Sequence, residues 1–404
     1  MTNKEKHIPS GYKPSPLGPI PEDWEVKRLG EVCTFLDSQR IPIKDADRGK
    51  MQGEYPYYGA SGIIDYVNDY IFDDDLILLG EDGANILLRS TPLAFLVSGK
   101  VWVNNHAHVL KTKQGFDRYY VCNYLETLSY DKYNTGTAQP KLNREICEKI
   151  PILLPPNEEQ NRISKLLVEW DTAIEKQSEL IEKLKLRKRA LMQQLLTGKK
   201  RLPGFSGAWE RKKLGDIAER VTRKNEEDNK NVVTISAQRG FVIQTDFFNK
   251  SVASETLDNY YLIHKDEFCY NKSYSNGYPM GAIKRLTAFD KAVVTTLYIC
   301  FKLKNLSTIN IDFFEQYCES GIFNKELVKI ANEGGRAHGL LNVTPTDFFN
   351  MQMKIPNLEE QNAIANVLVN ADKEIELANE KLAKLQSQKR GLMQQLLTGK
   401  KRIL

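Results

Sequence analysis

Side chains able to read the edge of a base are concentrated in two regions of this 404-residue sequence. The first region holds Tyr57-Tyr-Gly-Ala-Ser-Gly62 and Trp102-Val-Asn-Asn-His-Ala-His108, which set Tyr58, Ser61, Asn104, Asn105, His106 and His108 beside expected strand ends. The second holds Arg223-Lys224, Gln238-Arg239 and Tyr270-Asn-Lys-Ser-Tyr-Ser-Asn276, offering Arg223, Lys224, Gln238, Arg239, Asn271, Lys272, Ser273 and Tyr274. Asn and Gln pair with adenine and Arg or Lys with guanine in the major groove, while Ser, Thr and backbone amides hold phosphates. Readout of duplex DNA is the chemistry these residue types fit, although loops are polar in any protein and the types alone make only candidates. The pair His106-Ala-His108 would put two imidazoles on one face of a strand, a metal-ligand spacing, but no third ligand stands nearby; packing or base contact is favoured and no metal is expected.

Catalytic signatures are missing. An adenine methyltransferase grips its flipped base with an Asn/Asp-Pro-Pro-aromatic loop, whereas the one Pro-Pro here, Pro155-Pro156, is followed by Asn157 and precedes a helix. Gly59-Ala-Ser-Gly62 and Gly80-Glu-Asp-Gly83 are neither a dinucleotide fingerprint nor a P-loop, and Thr197-Gly-Lys-Lys200 lacks the upstream glycine and the following Ser or Thr. Asp73-Asp-Asp75 reads as a solvated turn in preference to a magnesium site. A non-catalytic chain that binds no cofactor itself is therefore expected.

The elements that must carry the candidate loops emerge from a repeat. Arg189-Ala-Leu-Met-Gln-Gln-Leu-Leu-Thr-Gly-Lys-Lys-Arg201 recurs from Arg390 to Arg402 with one change, Ala190 to Gly391, and the same offset of 201 carries Glu158-Glu-Gln-Asn161 onto Glu359-Glu-Gln-Asn362. A weaker echo opens each half: Trp24-Glu-Val-Lys-Arg-Leu-Gly-Glu-Val32 resembles Trp209-Glu-Arg-Lys-Lys-Leu-Gly-Asp-Ile217. Between these shared pieces the segments 33–150 and 218–354 show no obvious likeness, so a frame is kept while its contents differ; duplication followed by drift would leave the same trace.

Prolines before each repeated block, acidic residues in its first turn and a glycine in its lysine-rich last turn mark two helices of about 40 residues, roughly 60 Å each. Apolar residues recur at steps of four and three: Ile163, Leu167, Trp170, Ile174, Ile181, Leu184, Leu191 and Leu195 in the first, Ile364, Leu368, Ile375, Leu382, Leu385, Leu392 and Leu396 in the second. This is a coiled-coil period, and a twofold relation between the halves makes the pair antiparallel. Lys188 and Lys389 recur at one seam position, where a polar or partner-binding role and simple snorkelling both remain open.

Apolar residues at 41%, charged residues at 27% and a net charge of +5 describe a folded, mildly basic chain of two or more domains. Six cysteines without a Cys-x-x-Cys pair argue against zinc ribbons and disulfides, and no apolar run long enough for a membrane span occurs, so a cytoplasmic protein is expected. Runs such as Leu76–Leu79, Val101–Val103, Val232–Ile235 and Ala292–Cys300 read as strands.

The closing motif Leu-Met-Gln-Gln-Leu-Leu-Thr-Gly-Lys at 191–199 and 392–400, the Pro-x-x-Glu-Glu-Gln entrances and the Trp-Glu openings resemble specificity subunits of type I restriction-modification systems over nearly the whole chain. Ala138-Gln-Pro-Lys-Leu-Asn143 also resembles the end of a target recognition domain in that family, adding Gln139 and Lys141; the second half departs from it with Ala337-His-Gly-Leu-Leu-Asn342, where Arg336 and His338 take the corresponding place. The resemblance implies an α+β chain: an extension at 1–23, recognition domains at 24–154 and 202–355, and helical spacers at 155–201 and 356–404 forming an antiparallel coiled coil. It further implies a bipartite double-stranded DNA target, two modification subunits using S-adenosylmethionine, and restriction subunits using ATP and magnesium, with no membrane partner. A recognition subunit for a fused methyltransferase-nuclease, and a coiled-coil adaptor unrelated to DNA, stay open as alternatives.

Overall fold

The computed structural model describes residues 8–245, 257–331 and 341–403. Two compact units result, residues 1–178 with 381–404 and residues 179–380, so the division falls inside both long helices and not at the ends of the variable segments. Among the described residues no helix is long and apolar enough to cross a membrane.

In the first unit the strands are β1 (Glu25–Arg28), β2 (Cys33–Phe35), β3 (Gln52–Gly59), β4 (Gly62–Val67), β5 (Phe72–Asp73), β6 (Leu76–Gly80), β7 (Ala94–Val97), β8 (Lys100–Val103), β9 (Ala107–Thr112) and β10 (Pro151–Leu154), after a short hairpin of Tyr12–Lys13 and Ile20–Pro21. One sheet runs β2-β9-β6-β7, a second runs β4-β3-β8-β5, and β1 pairs with β10. Leu76-Ile-Leu-Leu79 is apolar throughout because β6 is covered on both faces: Ile77 and Leu79 enter one core while Leu76 and Leu78 enter the other.

The second unit repeats this order. Its strands are β11 (Glu210–Lys213), β12 (Ala218–Arg220), β13 (Val233–Ser236), β14 (Gly240–Ile243), β15 (Tyr261–His264), β16 (Phe268–Asn271), β17 (Ala282–Arg285), β18 (Lys291–Val294), β19 (Ile299–Leu303) and β20 (Gln352–Ile355). The sheet β12-β19-β16-β17, the hairpin β13-β14, the pair β15-β18 and the ribbon β11-β20 are the first unit's pairings with each label raised by ten. Even the parallel link between β3 and β8, Tyr57 opposite Trp102, has its counterpart in a parallel bridge from Val232 to Val293. Segments without visible sequence likeness thus share one topology.

One expected strand divides. The sequence reads as continuous over Ala292–Cys300, but β18 ends at Val294 and β19 begins at Ile299. The Thr295 hydroxyl accepts the Leu297 amide at 3.3 Å, and the Thr295 carbonyl accepts from Tyr298 at 3.3 Å, so a threonine side chain competes with the ladder and turns the chain.

The long helices span Asn157–Leu195 and Leu358–Leu396. Each ends on a glycine in the left-handed region, Gly198 at φ 69° and Gly399 at φ 70°, after which Lys200 and Lys401 donate back to the carbonyls of Gln194 and Gln395. Their seam residues are buried at Ile163, Leu167, Ile181, Leu195, Ile364, Leu368 and Leu396, and half-buried at Trp170, Ile174, Leu184, Leu191, Ile375, Leu382, Leu385 and Leu392. Within the first unit Lys389 Nζ lies 2.5 Å from Asp171 Oδ1 and Arg402 reaches Glu159; within the second Lys188 Nζ lies 2.6 Å from Asp372 Oδ1 and Arg201 reaches Glu360. In both, one residue number falls as its partner rises, so the helices run antiparallel, and an offset of 201 turns each pair into the other. The two lysines that sequence left open are register-matching ion pairs. Asp171→Asn and Asp372→Asn, whose carboxylates are about two-fifths exposed, should each cost less than about 1 kcal/mol in urea unfolding.

The other repeated residues have matched tasks. Glu159 accepts the Trp24 indole N–H at 3.0 Å and the Arg402 guanidinium at 2.8 Å; Glu360 accepts Trp209 at 3.3 Å and Arg201 at 2.5 and 2.6 Å. The Gln160 and Gln361 amides donate to the Pro155 and Pro356 carbonyls, both at 2.9 Å, while their oxygens accept the amides of Asp117 and Asn310. Asp117 and Asn310 in turn cap the helices Arg118–Thr127 and Ile311–Glu319. The repeated motifs are therefore the joints between each variable domain and the helix ends.

Candidate nucleic-acid interface

Strand ends deliver four loops of the first unit to one edge: the Ala60-Ser61 turn between β3 and β4, Glu81–Gly83 after β6, Asn104–His106 between β8 and β9, and residues 134–142. Backbone bonds join them: Asn104 donates to Tyr58 at 3.1 Å, Glu81 to His106 at 2.8 Å, Gly83 to Pro140 at 3.0 Å and Leu142 to Glu81 at 2.7 Å. A Cβ on Gly80 would stand 2.7 Å from the Ala60 carbonyl oxygen, so glycine is required where hairpin and strand pass each other. Ser61, Asn105, His106, Gln139 and Lys141 are exposed on this edge. His106 Nδ1 lies 2.8 Å from Asp82, and Lys141 Nζ 3.3 Å from Glu81. Tyr58 is half-buried beside Phe95, and burial raises its phenol above the ordinary range.

Two expected contacts change role. Asn104 is 4% exposed, and its side-chain oxygen accepts the His106 amide at 2.8 Å, so it shapes the turn and does not face a base. His108 is 1% exposed, with Nδ1 2.7 Å from Asp37 and Nε2 2.8 Å from the Leu142 carbonyl. The two imidazoles do not share a strand face: His106 precedes β9 and His108 points inward beneath the loops. Burial alone would lower the His108 pKa, but the hydrogen bonds and charge of Asp37 and the nearby Cys147 outweigh it and lift the imidazole to about 10. Among the described residues no group of three His, Cys, Asp or Glu is arranged to hold a metal.

Sequence reasoning passed over the polar residues supporting this edge. Arg40 Nη1 bonds Glu81 at 2.6 Å and the Ala107 carbonyl at 2.8 Å, linking the turn Asp37–Gln39 to the other loops. An arginine 41 residues before its partner leaves no local signal.

The second unit assembles the corresponding edge. Gln238 and Arg239 sit at the turn between β13 and β14, where Gln238 Nε2 donates to the Asn276 carbonyl at 3.0 Å. Asn271 Oδ1 accepts from Ser273 at 3.1 Å, and the Lys272 carbonyl accepts from Leu341 at 3.0 Å. Tyr274 is 64% exposed, while Asn271, Lys272 and Ser273 are half-buried. The turn Thr295–Tyr298, hidden in sequence inside an expected strand, occupies the place of Asn104–His106 and exposes Leu297. Arg336 and His338 lie outside the described residues. Arg223 and Lys224 are engaged elsewhere: Arg223 bonds Glu267 at 3.0 Å and the Leu262 carbonyl at 3.0 Å, and Lys224 bonds the Asn259 carbonyl at 2.7 Å over the Tyr261 ring. Carboxylate and carbonyl acceptors thus hold the Arg223 guanidinium.

A second, unlike set of side chains thus stands on the same loop framework. The profile of the family described as the type I restriction modification DNA specificity domain matches residues 21–186 and again residues 207–387. The chain belongs to that family. Each match takes in an opening tryptophan, a variable domain and most of a long helix, and stops short of the closing arginines Arg201 and Arg402.

Among relatives, a putative type I restriction enzyme specificity subunit of Haemophilus influenzae is 34% identical over 143 residues, 35% of this chain and about a third (36%) of that protein's length. The type I restriction enzyme MjaVIII specificity subunit of Methanocaldococcus jannaschii is 25% identical across 95% of this chain and 94% of its own. A solved type I S subunit from M. genitalium shares the fold with a TM-score of 0.55 at 13% identity, covering 92% of this chain and 96% of that one.

Proposed function

We propose that this specificity subunit reads a bipartite DNA site, one half-site per variable domain, and directs adenine methylation and ATP-dependent cleavage carried out by partner subunits. The observation that carries this reading is the shared strand order of the two domains, which presents Ser61, Asn105, His106, Gln139 and Lys141 on one set of loops and Gln238, Arg239, Lys272, Ser273 and Tyr274 on the equivalent set. Equal frames with unlike side chains are suited to reading two different short sequences. The chain itself binds no cofactor in this scheme: two modification subunits bring S-adenosylmethionine, and restriction subunits bring ATP and magnesium.

Exchange of residues 33–150 for the equivalent segment of another family member should alter the methylated sequence in one half of the target only, as read by direct sequencing of modified adenines. A change in both halves would refute the division of labour. Affinity for duplex DNA should also fall steeply with added salt, since phosphate contacts release counterions; an adaptor unrelated to DNA would show no such slope.

A further inference from the structure

We infer that His108 is the positioning residue for the first domain's reading loops, and that its loss would degrade recognition of one half-site while sparing the other. The inference rests on the DNA-reading function proposed above and concerns how one of the two domains holds its loops.

Both ring nitrogens of His108 face acceptors, the Asp37 carboxylate at 2.7 Å and the Leu142 carbonyl oxygen at 2.8 Å. A neutral imidazole has one N–H and can satisfy only one of them, so this geometry calls for the doubly protonated ring. Each acceptor belongs to a different loop. Asp37 lies in the turn that carries Arg40, and its second oxygen accepts the Val109 amide at 2.9 Å. Leu142 closes the loop that carries Gln139 and Lys141, and its amide donates to the Glu81 carbonyl at 2.7 Å. The Glu81 carboxylate stands 3.7 Å from the same imidazole and also takes Arg40 and Lys141. One buried cation thus sits where three loops converge, directly under the exposed residues of the reading edge.

The second domain is built differently at this point. The pairings Leu110–Phe35 and Phe301–Arg220 align β9 with β19, which places Ile299 where His108 stands. Ile299 is buried in an apolar cluster, and the reading loop there is tied from its far side by the Tyr278 hydroxyl, which donates to Glu319 at 2.8 Å. The chain therefore contains its own control.

The test is selection from a random duplex DNA library by the full chain, followed by sequencing of the bound DNA. Wild-type protein should enrich a two-part motif. His108→Gln, which keeps a polar side chain but carries no charge and has both its N–H donors on one nitrogen, should flatten preference about tenfold or more in the half governed by residues 33–150 and leave the other half unchanged. Asp37→Asn should reproduce the effect, because it removes the carboxylate while keeping the shape. Unchanged preference in both halves, or equal loss in both, overturns the inference. Melting curves identify variants that do not fold: if only His108→Gln unfolds, Asp37→Asn decides, and if both unfold, His108 is a purely structural residue and the inference is wrong. Wild-type protein that enriches no motif would instead refute the DNA-reading function itself.

Discussion

Glu159→Ala is expected to lower the unfolding free energy of the first unit by about 1–3 kcal/mol, the loss typical when a buried donor is left without its acceptor. Glu159 is 4% exposed and serves three groups at once: the Trp24 indole N–H, the Arg402 guanidinium and, at 3.3 Å, the Ile403 amide. Removing the carboxylate leaves a fully buried indole N–H without an acceptor. Arg402 would keep Asp23, 2.7 Å away. In the second unit position 208, which corresponds to Asp23, is alanine, so Glu360→Ala takes from Arg201 the one carboxylate it contacts among the described residues and should cost at least as much. Urea unfolding followed by tryptophan fluorescence reports both, because Trp24 and Trp209 sit at the two joints. A Glu159→Ala midpoint equivalent to less than about 0.5 kcal/mol of change would show that these joints carry little of the stability.

The first unit should also lose stability as pH rises from about 6.5 to about 10, by an amount on the order of 5 kcal/mol. His108 has a folded pKa of about 10 against an ordinary value of 6.5, so its contribution is complete below the lower value and vanishes as pH rises through the upper one. Asp37, held below its ordinary value despite burial by the His108 hydrogen bond and charge, acts in the opposite direction, and its contribution fades only as pH falls through the acid range. Arg40, Glu81, Lys141 and Cys147 also face this site. His108→Gln should abolish the alkaline slope in the first unit. A slope that persists in that variant would assign it to other groups.

How much of this was legible depended on whether a signal was local or distant. The repeated helices were plain because their heptads and caps lie in continuous sequence. The ion pairs of Lys188 and Lys389 were not, since Asp372 and Asp171 stand roughly half a chain away and meet them only once the helices run antiparallel. The apolar, β-branched run from Ala292 to Cys300 concealed a turn because Thr295 has high strand propensity and yet its hydroxyl captured a backbone amide. The neighbours of His108 mark it as a base contact, although its acceptor Asp37 comes 71 residues earlier and draws the ring inward. Arg223 likewise finds its carboxylate at a distance, 44 residues ahead. The common topology of the two domains was invisible because a strand asks only for alternation and burial, which many side chains satisfy.

The split of the first unit into residues 1–178 and 381–404 bears on the order in which the chain can fold as it is made. Met393, Leu396 and Leu397 belong to the same core as Trp24, Leu29 and Ile163, so that core stays incomplete until the second long helix has left the ribosome. The second unit, residues 179–380, is continuous and has all its core residues in hand earlier. Completion therefore runs against the direction of synthesis. During that interval the domain made first keeps apolar surface uncovered, which makes it the half of the nascent protein most exposed to aggregation and most in need of a chaperone.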